Sequence, residues 1–454
     1  MTGPNRQVLP EDEILRRISA APSVRLIGRV TNACGTTIRI SGLPVAIGQT
    51  CRIYQPEGDW QLRAEVIGMT EDGAILQPFG HLRGLSTGAR VEVLGTGETI
   101  AVGQAILGRI VNAAGEFIDG KPAPELEDSV PIIRTPPAAL TRAPVDEVVS
   151  SGIAVIDTLL TCAKGQRFGI FAPAGAGKST LLGMLAANST ADVNVIALIG
   201  ERGREVLEFI ESNLAAIRER TVVVVATSDE PSLVRARAAY TATAIAEYFR
   251  DQGLHVQLLA DSLTRYARAL RDVGLAMGEP STRSGFPPSV FSELPQLLER
   301  AGTNDKGAIT AFYTMLVEDE DELDPIAEET VSILDGHIVL SRRLAMQAHY
   351  PAVDVLASVS RSMPKIVDAN HSAAAARARA LIGKYRSLEL ILQMGEFEPG
   401  HDADADAALA AMPRLQELLK QTATQRVTFE DSVSGLYGAV GLKPPTVSLQ
   451  AEAV

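Results

Sequence analysis

The chain has 454 residues and a formal net charge of −13, and 46% of its residues are hydrophobic but only 4% aromatic. This length allows two or three domains with large aliphatic cores, and the negative charge argues against a broad nucleic-acid-binding surface. Three scattered cysteines indicate a reducing compartment without a disulfide framework, and we expect neither a signal peptide nor a membrane-spanning segment because no sufficiently long apolar run is present.

The first predicted elements are short strands. Residues 24–95 contain apolar, often alternating segments that Gly, Pro or Asp residues separate. Several such strands at close spacing predict a small β-barrel domain over 24–95. The polar residues 1–23 before it are predicted to form an amino-terminal arm.

Longer apolar segments follow and alternate with helical ones. Near-continuous apolar runs occupy residues 193–200, 221–228, 255–261 and 307–316. Such runs are typical of strands that are buried on both faces of a parallel sheet. They predict a doubly wound α/β domain over 96–365.

The last part of the chain is predicted to be helical. Residues 371–395 and 407–423 are rich in good helix formers, and a third helix is expected near 429–441. These segments predict a helical domain over 366–454. The proline-rich stretch 131–144 is interpreted as a connector that wraps toward the core of the α/β domain.

Residues 172–180, APAGAGKST, match the second half of the phosphate-binding pattern G-x-x-x-x-G-K-[ST], although Ala172 stands where the pattern begins with Gly. A strand candidate precedes them and an apolar helix follows, which is the context that the motif requires. Glycines let backbone N–H groups turn toward an anion, and the helix amino terminus adds a positive dipole end. Lys178 is expected to reach the β- and γ-phosphates, and the Ser179 hydroxyl to bind Mg²⁺. A chance glycine-rich turn is the alternative.

Two carboxylates follow apolar strands downstream of this loop. Glu201, in the run IGERGREVLEF, could orient and polarise an attacking water, as phosphoryl transfer requires. Asp261 ends the run HVQLLAD and has the Walker B position, which holds the hydrated Mg²⁺. The alternatives are a salt-bridged or helix-capping Glu201 and an Asp261 that only caps the next helix.

Two further features leave their roles open. Arg361 ends the run HYPAVDVLASVSR and could point into its own site, toward a neighbouring subunit or into a salt bridge. The loop 396–406, EFEPGHDADAD, carries five carboxylates, and charge alone favours a solvated turn.

These residues together resemble the ATPases of type III secretion systems and of the flagellar export apparatus, which are similar to the catalytic subunit of rotary ATP synthases. The resemblance covers roughly residues 24–440. Its specific parts are the phosphate loop, GERGREV, SILDGHIVLSRRLA, HYPAVDVLASVSR and above all GEPSTRSGFPPSVFSELPQLLERAG, which generic ATPases lack. It implies a RecA-like P-loop NTPase core with an N-terminal β-barrel and a C-terminal helical domain.

The resemblance also implies roles for residues. Glu201 is then the catalytic glutamate, with Arg202 near the γ-phosphate, Lys178 on the phosphates and Arg361 as an arginine finger given to the neighbouring site. Ser179 and Asp261 hold Mg²⁺. The residues expected around ATP are Ala174, Gly175, Ala176, Gly177, Lys178, Ser179, Thr180 and the adenine-contacting aromatics Tyr350 and Phe429.

The function so implied is ATP hydrolysis that energises type III protein export, in an injectisome or flagellar system, with release of chaperones and unfolding of cargo. The implied partners are five further copies in a homohexamer, a central stalk protein that meets the loop 396–406, a stator or regulator protein, chaperone–cargo complexes and the membrane export gate. The implied location is the cytoplasm, peripheral to the secretion apparatus of the inner membrane. A catalytic subunit of a rotary ATP synthase is the nearest alternative, and a Rho-type RNA-translocating hexamer is a more distant one.

Overall fold

A computed structural model describes residues 26–95, 99–318 and 324–443 of the chain. The chain divides into two compact units, Met1–Gly97 and Glu98–Val454, which are described separately below. The predicted arm over 1–23 lies outside the described residues, as do residues 444–454. Within the described residues, no helix combines the length and the apolar character needed to cross a membrane.

The first unit is a closed six-stranded barrel, which confirms the barrel prediction. Its strands pair in the order β1-β2-β5-β4-β3-β6. Alternate residues point inward, so that Ile38 and Ile40 of one strand are buried while Arg39 between them is exposed. The strands are β1 (Gly28–Cys34), β2 (Thr37–Ser41), β3 (Thr50–Tyr54), β4 (Gln61–Thr70), β5 (Gly73–Pro78) and β6 (Arg90–Gly95).

The second unit is built on one large sheet with strand order β19-β18-β12-β17-β15-β13-β14-β8. All neighbours along this path are parallel except β19, which runs antiparallel to β18. Its strands are β8 (Ile110–Asn112), β12 (Arg167–Ala172), β13 (Val193–Glu201), β14 (Thr221–Thr227), β15 (His255–Asp261), β17 (Ala308–Leu316), β18 (Gly336–Val339) and β19 (Val359–Ser360).

The four apolar runs of the sequence form β13, β14, β15 and β17, which occupy the middle of this sheet. Every residue of β13 is buried, as expected for a strand covered on both faces. The remaining strands are short: β16 (Gly302–Thr303) pairs with β17, β7 (Thr99–Val102) with β9 (Asp128–Pro131), and β10 (Val148–Val149) with β11 (Cys162–Ala163).

The helices of the second unit connect these strands and continue beyond them. Those up to residue 366 are α1 (Ala154–Leu159), α2 (Lys178–Asn188), α3 (Gly203–Asn213), α4 (Ser232–Arg250), α5 (Leu263–Met277), α6 (Pro288–Leu298), α7 (Pro325–Ile333), α8 (Arg342–Met346) and α9 (Met363–Ile366). The three helices predicted near the end of the chain are α10 (Ala369–Met394), α11 (Ala403–Leu419) and α12 (Phe429–Ala439).

The helices α10 to α12 share one apolar core with the sheet. Phe168 of β12 and Leu198 of β13 belong to the same cluster of buried side chains as Ala378 of α10 and Leu415 of α11. The fold class is therefore the predicted one, an α/β core with helices after it. The boundary near residue 366 stays a prediction.

The proline-rich connector is held against the core, as its interpretation required. Arg300 is 1% exposed and donates to both carboxylate oxygens of Glu247, at 3.0 and 2.7 Å, and to the carbonyl of Ile132. Arg142 at the far end of the stretch donates to the carbonyls of Ala301 and Glu299. The fully buried charges of Arg300 and Glu247 are stable because they are paired and hydrogen-bonded.

Candidate active site

The phosphate-loop sequence forms the turn between β12 and α2. Gly175 and Gly177 have φ angles of +81° and +89°, a region in which L side chains are strained. Gly177 is the residue before the first turn of α2, and a Cβ atom added there would lie 3.4 Å from the Tyr350 ring. The sequence therefore places a backbone turn at the amino end of an eleven-residue helix, where N–H groups can meet an anion.

A compact charged cluster lies beside this turn. Lys178 Nζ pairs with Asp261 Oδ1 and lies 3.5 Å from Glu201 Oε1. Glu201 and Asp261 are 7% and 5% exposed. They meet because they end β13 and β15, which are adjacent parallel strands whose carboxyl ends lie at the same edge of the sheet.

The two carboxylate oxygens of Glu201 face different cations, Lys178 on Oε1 and Arg265 on Oε2. Arg265, in the first turn of α5, lies 3.1 Å from Glu201 Oε2. Glu201 Oε1 has no hydrogen-bond partner among the described residues. Burial, together with the charge of Asp261, raises the pKa of Glu201, while Lys178 and Arg265 act to lower it. A carboxylate of raised pKa, with one oxygen that accepts no hydrogen bond from the described residues, is suited to accept a proton.

Asp261 is held from the neighbouring strand. The Thr314 hydroxyl of β17 donates to Asp261 Oδ1 at 2.7 Å. With Ser179 at the start of α2, the site offers a carboxylate and a hydroxyl oxygen next to a phosphate-binding turn. Mg²⁺ in proteins is commonly held by one or two carboxylates together with phosphate and water oxygens, so this donor set fits that ion.

A cavity of about 810 Å³ opens at the phosphate loop. Seven of the predicted site residues line it, namely Ala174, Gly175, Gly177, Lys178, Ser179, Thr180 and Tyr350. A second cavity of about 380 Å³ is lined by Ser179, Glu201 and Asp261. The structure thus brings together the residues expected around phosphate, around Mg²⁺ and around the attacking water.

Three predicted residues are placed elsewhere or differently. The Ala176 side chain is buried in the core, and its N–H donates to the Pro173 carbonyl. Phe429 does not line either cavity and packs edge-to-face on His371, so its position does not support contact with adenine. Arg202 is 75% exposed at its side chain and pairs with Glu205 at 3.4 Å, on the solvent side of the cluster.

Arg361 lies at the amino ends of the parallel strands, whereas its own phosphate loop lies at their carboxyl ends. It directly follows Ser360, which pairs with Gly336 at the amino end of β18, and Gly336 in turn is in register with Phe168 near the start of β12. The loop follows Ala172, so the length of β12 separates the two by roughly 13 Å at about 3.3 Å per residue. Arg361 is exposed and donates to the Val331 carbonyl.

The structure adds residues that the sequence reasoning missed. Arg265 contacts Glu201, Thr314 contacts Asp261, and residues 420–423 with Gln425 line the larger cavity. Arg265 had a sequence signal, because it lies four residues after Asp261 in the first turn of the next helix. The other residues had none, since their contacts join parts of the chain that are far apart in sequence.

Three family models match successive parts of the chain. Residues 30–95 match the β-barrel domain and residues 152–360 the nucleotide-binding domain of the ATP synthase alpha/beta family. Residues 367–437 match the C-terminal domain of the type III secretion ATPase EscN.

Individual relatives agree with these models. A type 3 secretion system ATPase of Xanthomonas euvesicatoria is 50% identical over 94% of this chain and 96% of its own. The flagellum-specific ATP synthase of Bacillus subtilis is 44% identical over 93% of this chain and 97% of its own. The assembled ATPase EscN of enteropathogenic E. coli, solved in complex with its central stalk EscO, has a TM-score of 0.85 and 45% identity, and covers 91% of this chain and 100% of its own.

Proposed function

The chain belongs to the type III secretion and flagellar export ATPases of the ATP synthase alpha/beta family, and from this premise we propose how its residues hydrolyse ATP to drive protein export. The observation that carries the proposal is the buried cluster of Lys178, Glu201, Asp261 and Arg265 at the phosphate loop. The synthase alternative is not favoured, because the C-terminal residues match the secretion ATPases.

ATP binds with its phosphates on the loop 173–178. The loop N–H groups and the dipole of α2 attract the anion, and Lys178 turns from Asp261 and Glu201 to the β- and γ-phosphates. Ser179 and Asp261 would hold Mg²⁺, which when bound neutralises charge on the phosphates. With Mg²⁺ bound, the ion would compensate the buried charge of Asp261, which Lys178 compensates in this structure.

Glu201 acts as the base that orients the attacking water. Its Oε1 has no hydrogen-bond partner among the described residues, and its other oxygen is held by Arg265. Once Lys178 moves to the phosphates, the cation nearest to Oε1 departs and leaves room for a water. Arg265 keeps the carboxylate in place and keeps part of its charge compensated. Arg202 is exposed next to Glu201 and pairs with Glu205; its proposed role requires its side chain to turn from Glu205 toward the γ-phosphate when ATP binds.

Arg361 completes the site of a neighbouring copy. It is exposed and lies far from its own phosphate loop, so it can stabilise transferring phosphate only across an interface. We propose a homohexamer whose ATP sites lie between subunits, with a central stalk as in the EscN–EscO complex. A stator or regulator protein, chaperone–cargo complexes and a membrane export gate complete the proposed setting, on the cytoplasmic side of the inner membrane.

The test compares two variants of the purified protein. Glu201→Gln keeps the shape of the side chain but removes the base, so ATP should still bind while turnover falls about 10²- to 10⁴-fold. Lys178→Ala should weaken ATP binding itself, because the phosphates lose their fixed cation. Hydrolysis at a near wild-type rate by Glu201→Gln would exclude Glu201 as the base.

A further inference from the structure

The segment after α11 forms one wall of the larger cavity, and Gln421 is its buried residue. Lys420 to Ala423 and Gln425 line the cavity, yet the Gln421 side chain is 5% exposed and turned into the protein. Its Oε1 accepts from the Ala154 N–H at 2.9 Å. Its Nε2 donates to the Gly152 and Gln425 carbonyls at 2.8 and 2.7 Å. The amide group is therefore bonded on both sides.

The Gly152 carbonyl receives donors from three parts of the chain. Besides Gln421, the Asn188 amide at the end of α2 and the Val427 N–H donate to it, both at 3.3 Å. Gly152 has a φ of +66°, and a Cβ atom there would lie 2.8 Å from Asn188 Cβ. Only glycine fits, so the turn offers this carbonyl in one fixed direction.

A buried carboxylate shapes the same turn from within. Asp157 in α1 is 0% exposed and accepts from the Ser151 N–H and hydroxyl, both at 2.7 Å. The Gly152 N–H and the Ser150 hydroxyl donate to its second oxygen. Burial raises the pKa of Asp157 while these hydrogen bonds act to lower it. Four donors on one buried carboxyl group leave the turn little freedom.

The backbone of Gln421 also bonds to another residue of the cavity lining, Tyr350. Its N–H donates to the Tyr350 carbonyl at 2.8 Å. The Tyr350 ring lines the cavity and lies against Gly177 of the phosphate loop. One residue thus joins the C-terminal wall, the rigid Gly152 turn and the backbone of Tyr350.

We propose that Gln421 is a positioning residue for nucleotide binding, which fixes the 420–425 wall and Tyr350 at the distance that a bound nucleotide requires. The inference rests on the proposed function, since it takes the larger cavity as the nucleotide site. It concerns binding and not the chemical step, because the structure gives Gln421 no contact with Lys178, Glu201 or Asp261. Loss of the side chain should therefore weaken affinity and leave turnover at saturation nearly unchanged.

Gln421→Leu keeps the volume of the side chain and removes its hydrogen bonds. We expect the affinity for Mg-ATP to fall about tenfold, with KM rising in parallel and kcat within about twofold of the wild-type value. The loss is limited because the backbone hydrogen bond to Tyr350 remains when the three side-chain bonds are removed.

Gln166→Leu is the matched control. Gln166 is 0% exposed, accepts from the Ala163 N–H and donates to Asp335 and Ser360, and it lies at the other edge of the sheet. It should lose comparable thermal stability but keep wild-type affinity. Equal affinity of Gln421→Leu and wild type, or an equal loss of affinity in both variants, would overturn the proposal.

A measurement on the unmodified protein covers the case in which a variant does not fold. Amide hydrogen exchange is followed with and without a non-hydrolysable ATP analogue. We expect slower exchange at residues 420–427 and 152–154 together with the phosphate loop. Protection of the loop alone would overturn the role of Gln421 while supporting the nucleotide site. No protection anywhere would instead count against the proposed function.

Discussion

The carboxylates at the nucleotide site and those in the loop 396–406 belong to the same residue types but differ in their exposure to solvent. Glu201 and Asp261 are nearly buried and share the cations Lys178 and Arg265. In the loop, Glu396, Glu398 and Asp404 are exposed.

The pKa values of the two groups of carboxylates shift in opposite directions. Burial raises the pKa of Glu201, whereas the hydrogen bond from Lys384 lowers the pKa of Asp402 in the loop. The difference teaches that exclusion of water raises the pKa of a carboxylate and suits it to accept a proton, even beside cations such as Lys178 and Arg265. In water, the same group serves as a cap, a solvated charge or a contact for another protein.

The comparison assumes that the buried site needs a residue from a neighbouring chain. The prediction with the largest expected effect tests this assumption at Arg361. Arg361→Ala should lose about 10³-fold or more in turnover, the scale of arginine fingers, while it still assembles. Mixing it with Glu201→Gln should restore part of the activity, because some interfaces then pair an intact Glu201 with the neighbour's Arg361. The measurement is ATPase rate against mixing ratio.

Arg343→Ala is the control for this experiment, since Arg343 is an exposed arginine that pairs with Glu389 of its own chain at 2.8 Å. It should hydrolyse ATP normally. Well-mixed assemblies that show no recovery would contradict the assignment of Arg361 to the neighbouring site.

A second prediction tests how the cations of the buried cluster control the pKa of Glu201, by removing Arg265. Arg265 stabilises the ionised form of Glu201, so Arg265→Gln should raise the pKa of Glu201 further. The base form then needs a higher pH, and the acid limb of the kcat/KM profile should move upward. The variant should lose most activity at the acid end of the range and recover part of it as the pH rises.

Arg268→Gln lies on the same helix and provides the control. Arg268 is 48% exposed at its side chain and contacts Glu318 at 3.4 Å, away from Glu201. Its profile should match that of the wild type. An unmoved acid limb in Arg265→Gln would show that Glu201 does not control it.

Most of the site could be predicted from the sequence because the order of the strands in the sheet brings the site residues together. Apolar runs identified the strands, and residues directly after them, such as Glu201 and Asp261, meet at one edge of a parallel sheet. Arg265 and Gln421 were missed because their roles depend on which helix turns back over that edge. Phe429 was assigned by resemblance alone, and its packing on His371 depends on how α12 meets α10.

The five carboxylates of the loop 396–406 also differ from the simple expectation of a solvated turn. Asp402 caps α11 by accepting from the Asp404 and Ala405 N–H groups, and it pairs with Lys384 at 2.6 Å. Asp406 accepts from the Gly400 N–H at 2.8 Å. These two shape the tip. The remaining three are exposed surface charges, of which Glu398 lies 3.0 Å from His401.

The prediction with the smallest expected effect distinguishes the three exposed carboxylates of the loop from Asp402 and Asp406. Neutralising Glu396, Glu398 and Asp404 should leave thermal unfolding and basal ATPase activity nearly unchanged, since exposed charges contribute little to stability. It should reduce the stimulation by a basic stalk protein and flatten its dependence on salt, because the loop then offers fewer screened charges. Neutralising Asp402 and Asp406 instead should lower the unfolding temperature slightly, through the lost contacts with Lys384 and Gly400. The measurement is stalk-stimulated ATPase activity as a function of salt concentration. An unchanged salt slope in the first variant would mean that the loop is only a solvated turn. The exposed carboxylates would then differ from the buried ones in their surroundings but would have no function of their own.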